Sequence, residues 1–183
     1  IEMELGKLKK AAELKPDKTQ QTKRPQVSSR LNEELFDSVK AKTIRFTVLA
    51  SSSGQPCLDE LEVFDDGGNN VALASSGAVA SASGTLPGYA IHQLKHINDG
   101  RTGNASSWIS NSSGSGWVEI SLLKEHSIQK IVWSRDRSGQ FQDRIPTRYI
   151  IEARTQKDEW IRIADSNNRA TFQNKPDPLA FLN

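Results

Sequence analysis

Cysteine is nearly absent. The 183 residues contain one, Cys57, so neither an internal disulfide nor a thiolate-built metal cluster is open to the chain. Set in a strand-like stretch, Cys57 reads as a small, half-buried apolar residue. No apolar run reaches the roughly 20 residues that span a membrane as a helix. No signal-peptide pattern follows Ile1, and a chain that opens on Ile rather than Met is expected to be a piece of a longer protein. Charge of one sign is not in excess either: 24 Lys and Arg stand against 22 Asp and Glu. That balance excludes the strong basic field of a nucleic-acid-binding surface. Catalytic signatures are missing: no HExxH, CxxC, GxSxG or Gly-rich phosphate loop occurs. Of the three histidines, His92 and His96 have the i, i+4 spacing that suits zinc on a helix, but their segment is short and runs into a turn. These absences point to a binding module rather than an enzyme.

The residues that are present change character along the chain. Residues 1–40 carry Leu5, Leu8 and Ala12 at roughly helical spacing, then the polar run DKTQQTKR between Pro16 and Pro25. Leu31, Leu35 and Val39 predict a short second helix that docks on the domain. From Thr43 the period becomes two. TIRFTVL, LDELEVF, WVEISL, IQKIVWS, RYIIEA and EWIRIA are short, β-branched and aromatic, and turn-rich stretches such as DDGGNN and SNSSGSG separate them. Val118, Ile120 and Leu122 alternate with Glu119 and Ser121, the pattern of a half-buried strand. Many short strands without crossover helices predict an all-β, antiparallel sandwich. The expected organisation is a helical segment and linker over 1–40, a sandwich over 41–166 and a second linker over 167–183, where Pro176 and Pro178 stand.

The order NVALASSGAVASAS, INDGRTGNASSWIS, GWVEISL, IQKIVWSRDRSGQFQDRIPTRYIIEA and EWIRIA resembles the discoidin domain, the coagulation factor five/eight type C fold, and its relatives among family 32 carbohydrate-binding modules. The likeness covers residues 70–164. TIRFTVLASSSGQPCLDELEVF resembles the closing strands of such a domain, displaced to the front, which implies a circular permutation or, alternatively, the end of a truncated upstream copy. In either case strand 43–49 or 58–64 is expected to pair with strands of the C-terminal half. The run SRDRSGQFQDR also resembles modules of large bacterial proteins that carry cytochrome c-like domains. The resemblance implies a galactose-binding-like jelly roll in an extracytoplasmic protein.

It also implies a structural calcium and a glycan site. Calcium takes six to eight oxygens. Position by position, Asp99 would supply a carboxylate, His96 and Arg101 carbonyls, Asn104 a side-chain oxygen where the family has Thr, and Glu60 the closing-strand carboxylate. A plain turn, with Asp99 capping an amide and Gly100 at positive φ, is the alternative. The ligand site would comprise His92, Trp108, Asn111, Arg135, Arg137 and Phe141. Arg135 aligns with an arginine that contacts sugar, and a guanidinium reads hydroxyl, carboxylate or sulfate pairs. Asp136 and Asp143 could equally pair with these arginines, Trp108 could equally be core, and His92 could be a structural hydrogen-bonder. NAS at Asn104 and NSS at Asn111 match the glycosylation triplet, which Asn- and Ser-rich loops produce by chance. The expected partner is a glycan or polysaccharide. A protein-interaction domain without a sugar site is the alternative.

Overall fold

The computed structural model describes residues 23–174. The helix expected near the N-terminus and the end of the expected C-terminal linker lie outside the described residues. The described chain is antiparallel β-structure: β1 (Asn32–Ser51), β2 (Cys57–Leu58), β3 (Glu60–Asp65), β4 (Val79–Ala82), β5 (Trp108–Ile109), β6 (Gly116–Ser134), β7 (Pro146–Arg154) and β8 (Trp160–Asp165). Two single-turn 3-10 segments, Ala74–Ser76 and Leu94–His96, punctuate the loops.

Two long strands organise the rest. β1 and β6 pair along most of their length, with register breaks between Leu35 and Val39 and between Ala41 and Thr43. Such bulges bend a strand and sharpen its twist, and here each long strand serves two sheet regions. Residues 32–41 of β1 lie beside residues 126–133 of β6, whose other edge takes β3. Residues 43–48 of β1 lie beside residues 116–121 of β6, with β4 on the far side of β6 and β7 then β8 beyond β1. β2 and β5 make a separate two-stranded ladder. Both displaced segments therefore pair with the C-terminal half as expected: residues 43–48 with β6 and β7, and residues 60–64 with β6.

The two regions meet over one core, which gives the molecule its sandwich-like build. Phe46 on β1 and Tyr149 on β7 stack at 5.1 Å, and Trp133 near the far end of β6 meets them edge-on at 5.2 and 5.1 Å. Around them Ile44, Val48, Leu61, Val63, Val118, Ile120, Ile128 and Ile151 are buried. The alternation of Val118, Ile120 and Leu122 holds, with Ser121 exposed and Glu119 half-buried. Each large apolar side chain buried in this way contributes roughly 1.5–3 kcal/mol.

The N-terminal boundary differs from the sequence reading. Residues 32–40 are strand, not helix, and the leucines that suggested a helix face water: Leu31 is 47% and Leu35 73% exposed. Asn32 and Glu34 point inward instead. Glu34 Oε1 accepts from the Tyr149 hydroxyl (2.5 Å), Arg169 Nη2 (2.7 Å) and Trp133 Nε1 (3.4 Å), and Oε2 accepts from Arg24 Nη1 (2.5 Å). Cross-strand pairing and these four donors override the local helical spacing. Residues 167–172 are likewise more than a linker. The Arg24 amide donates to the Asn168 carbonyl and the Ala170 amide to the Arg24 carbonyl, both at 2.8 Å, while Phe172 packs against the core. The two ends of the described chain thus close on each other over Glu34. Among the described residues no helix is long and apolar enough to cross a membrane.

Candidate functional site

At the end of the sandwich where β6 stops and β3 begins, two loops approach each other. One is 96–106, which contains the DG turn. The other is 135–143, which follows β6. Between them lies an open cleft of about 720 Å³, lined by Arg101, Thr102, Gly103, Asn104, Ala105 and Ser106 on one wall and Ser138, Gln140 and Phe141 on the other.

Buried polar groups hold both walls. Asp59, fully buried, accepts from the Gly103 amide and the Arg137 amide, each at 2.7 Å, and from the Ser134 hydroxyl. One carboxylate thereby ties the two loops to the corner between β2 and β3. Asp136 organises the second loop, accepting from the Ser138 amide (3.1 Å) and hydroxyl (2.6 Å) and the Phe141 amide (2.9 Å). Burial alone would raise its carboxyl, but the bonds from Ser138 and Phe141 outweigh that and hold it below the ordinary carboxylate value. Arg135 bridges the walls from beneath. Its Nη1 donates to Asn104 Oδ1 (2.8 Å), while Nη2 and Nε donate to the Asp143 side chain (2.7 Å) and carbonyl (3.0 Å). The Phe141 ring sits 5.2 Å above the guanidinium carbon.

No protein-family model, curated protein or solved structure matches the chain.

The expected ligand residues therefore divide. Phe141 lines the cleft and is 42% exposed. Arg135 is 2% exposed with its nitrogens engaged, so it supports the cleft floor and does not read a ligand; the pairing with Asp143 wins. Arg137 is turned to β3, where Nη2 donates to Glu62 Oε2 at 2.6 Å. Trp108 is fully buried with its Nε1 on the Gly84 carbonyl (3.1 Å), the core alternative rather than a platform. His92 is buried against the Ser107 hydroxyl (2.8 Å), and burial followed by the charge of Arg135 pushes its pKa down. Asn111 is exposed but lies against Gly84, outside the cleft. Three polar side chains of the cleft were not among the expected ligand contacts: those of Thr102, Gln140 and Arg101, the last expected only as a carbonyl donor to calcium, are exposed and make no hydrogen bond or ion pair among the described residues. Cys57 is fully buried, and burial pushes its thiol up to about 11, so it carries no thiolate near neutral pH.

The expected calcium ligands come together only in part. Glu60 and Asp99 converge at the DG turn. Gly100, at φ +80°, donates its amide to Glu60 Oε1 (3.1 Å), and Asp99 Oδ1 accepts from the Arg101 amide (2.8 Å). Glu60 Oε2 is buried with no partner. Burial, reinforced by the charges of Asp99, Glu62 and Asp59 and opposed by the Gly100 amide, raises its carboxyl from 4.5 to about 9. An orphaned carboxylate oxygen among like charges fits a cation. Asn104 does not fit, because Arg135 occupies its side-chain oxygen. Asp99 Oδ2 faces His96 Nδ1 at 2.8 Å, and no group of three or more His, Cys, Asp or Glu side chains converges as metal ligands among the described residues. The turn reading, with Asp99 capping an amide and Gly100 at positive φ, holds as geometry.

Proposed function

We propose that this chain is a non-catalytic glycan-binding module of discoidin type, with jelly-roll connectivity, from an extracytoplasmic protein. The observation that carries the reading is the cleft between 101–106 and 138–141. An exposed aromatic ring, Phe141, stands beside uncommitted donors on loops held by the buried, hydrogen-bonded Asp59, Asp136 and Arg135. Sugar rings bind in this manner: C–H faces pack on an aromatic ring while hydroxyls meet polar side chains held in place beforehand. Loops at one end of a rigid sandwich are the usual position for such a site. A structural calcium belongs to the same proposal, with Glu60 and Asp99 as carboxylate donors and the carbonyls of His96 and Arg101 as the further donors that the resemblance implies. It would fix the DG turn and hence one wall of the cleft.

A glycan-array screen of the wild-type chain and of Phe141→Ala tests the reading. Binding that is present in the first and lost in the second, with an unchanged melt, supports it. A blank array overturns it. The second reading, a protein-interaction domain, draws on the outer face of the larger sheet region. There the Arg45 guanidinium lies 4.3 Å from the Trp160 ring centre and 5.3 Å from that of Trp117, with Leu49 exposed on the same strand.

A further inference from the structure

Resting on the glycan reading, we infer that the cleft selects glycans that carry an anionic substituent, a carboxylate or a sulfate, and that Arg101 is the residue that selects them. Of the acids near the cleft, Asp143 is half-exposed but paired with Arg135 and Arg144, and the other three are committed inward. Asp59 is bonded to the Gly103 and Arg137 amides, Asp136 to Ser138 and Phe141, and Asp99 to the Arg101 amide and His96. None of them lines the opening, and no carboxylate does. Of the other cations at this end, Arg135 is buried and neutralised by Asp143, Arg137 is paired with Glu62, and Arg30, whose guanidinium lies against Gly139, does not line the cleft. The group left facing a ligand is therefore one guanidinium, Arg101, exposed and without an ion-pair partner among the described residues, flanked by Thr102.

Those groups together define a chemistry. Gln140 and Phe141 on the opposite wall meet the polar and C–H sides of any sugar. The guanidinium, whose paired N–H groups match a carboxylate or sulfate, distinguishes an acidic sugar from a neutral one. A neutral ligand would leave Arg101 solvated and contributing little. An acidic one gains a charge-assisted pair in a cleft with no competing carboxylate. Because the pair lies at the surface, added salt should weaken it.

Titration calorimetry on the full chain with three probes of similar length tests this: an oligogalacturonate, a sulfated galactan oligosaccharide and a neutral galacto-oligosaccharide. At low salt at least one acidic probe should bind about tenfold or more tighter than the neutral one. Molar salt should bring the two toward parity. Arg101→Gln should remove most of the preference, weakening the acidic probe far more than the neutral one, and Arg101→Lys should restore part of it. Which acidic probe binds assigns the carboxylate or the sulfate. Equal affinity for acidic and neutral probes, or a preference that survives Arg101→Gln, overturns the inference and leaves the glycan reading standing. Failure of all three probes, together with a blank array, overturns the glycan reading itself.

Discussion

Two glutamates, 26 positions apart in the chain, are buried to the same degree and held in opposite ways. Glu34 is 0% exposed and Glu60 1%. Glu34 has two arginines, a tyrosine hydroxyl and an indole N–H on its oxygens. Glu60 has one backbone amide, three acidic neighbours and an oxygen with no partner. The cost of burying a carboxylate falls on whatever surrounds it. Around Glu34 the surroundings supply positive charge, and the result is a clasp that joins the two ends of the described chain. Around Glu60 they supply negative charge, and the carboxyl must either keep its proton or take a cation. The first arrangement is structural and complete. The second is incomplete, and it lies beneath a wall of the candidate cleft.

The sharpest way to break this comparison is to remove both carboxyl groups. Glu34→Ala should cost about 3–5 kcal/mol, because it strands two guanidinium groups, one of them, on Arg169, nearly buried. Glu60→Gln, measured with chelator present, should change stability by no more than about 1 kcal/mol, since it replaces a protonated acid with a neutral amide of the same shape. Urea unfolding of the two variants checks both figures. Equal losses would mean that Glu60 is as well partnered as Glu34.

Calcium sharpens the comparison next. If Glu60 and Asp99 hold the ion, calcium at a hundredfold excess over its Kd should stabilise the wild-type chain by about 2.7 kcal/mol and Glu60→Gln by much less. Thermal melts with calcium and with chelator measure it. A melting temperature that ignores both would leave Glu60 simply a buried neutral acid. Next comes the expected loss from Arg135→Ala, centred on about 2 kcal/mol. The guanidinium is buried, but its partner Asp143 is 48% exposed at the side chain and regains water readily. An unchanged melt for Arg135→Ala would return Arg135 to the ligand-reading residues.

Much of the fold could be read in advance wherever apolar residues alternate. WVEISL and TIRFTVL became half-buried strands with the buried faces their pattern dictates. The failure at 32–40 has a definite cause. There the inward positions are Asn32 and Glu34 and the outward one is Leu35, so local hydrophobicity points the wrong way, and it takes partners about a hundred or more residues downstream, together with Arg24, to reverse it. The same cause divided the candidate site. Arg135 and Arg101 are alike in sequence. Arg135 is buried because Asn104, 31 residues earlier, and Asp143, 8 later, happen to meet it. Phe141, expected among the ligand residues, is 42% exposed, with its ring over the Arg135 guanidinium.

The finest discriminator between the two glutamates is pH. Folding raises the Glu60 carboxyl from 4.5 to about 9, so between those values the folded chain holds a proton that the unfolded chain has released. The contribution of Glu60 to stability is therefore complete below pH 4.5, declines as pH rises through the window and is gone above about 9. The slope is at most about 1.4 kcal/mol per pH unit and is expected to be well below that, because opening the site to water lowers the cost of ionising it. Urea midpoints at pH 5, 6, 7 and 8 in chelator, for the wild-type chain and for Glu60→Gln, isolate this contribution, since every other titrating group is common to both. The wild-type chain should lose stability faster than the variant across the series. Calcium should reverse the difference at the alkaline end, because the ion competes with the proton for the same oxygens. Parallel pH curves in chelator would show that Glu60 ionises without penalty, and that Glu34 and Glu60, however differently partnered, bear their charge equally well.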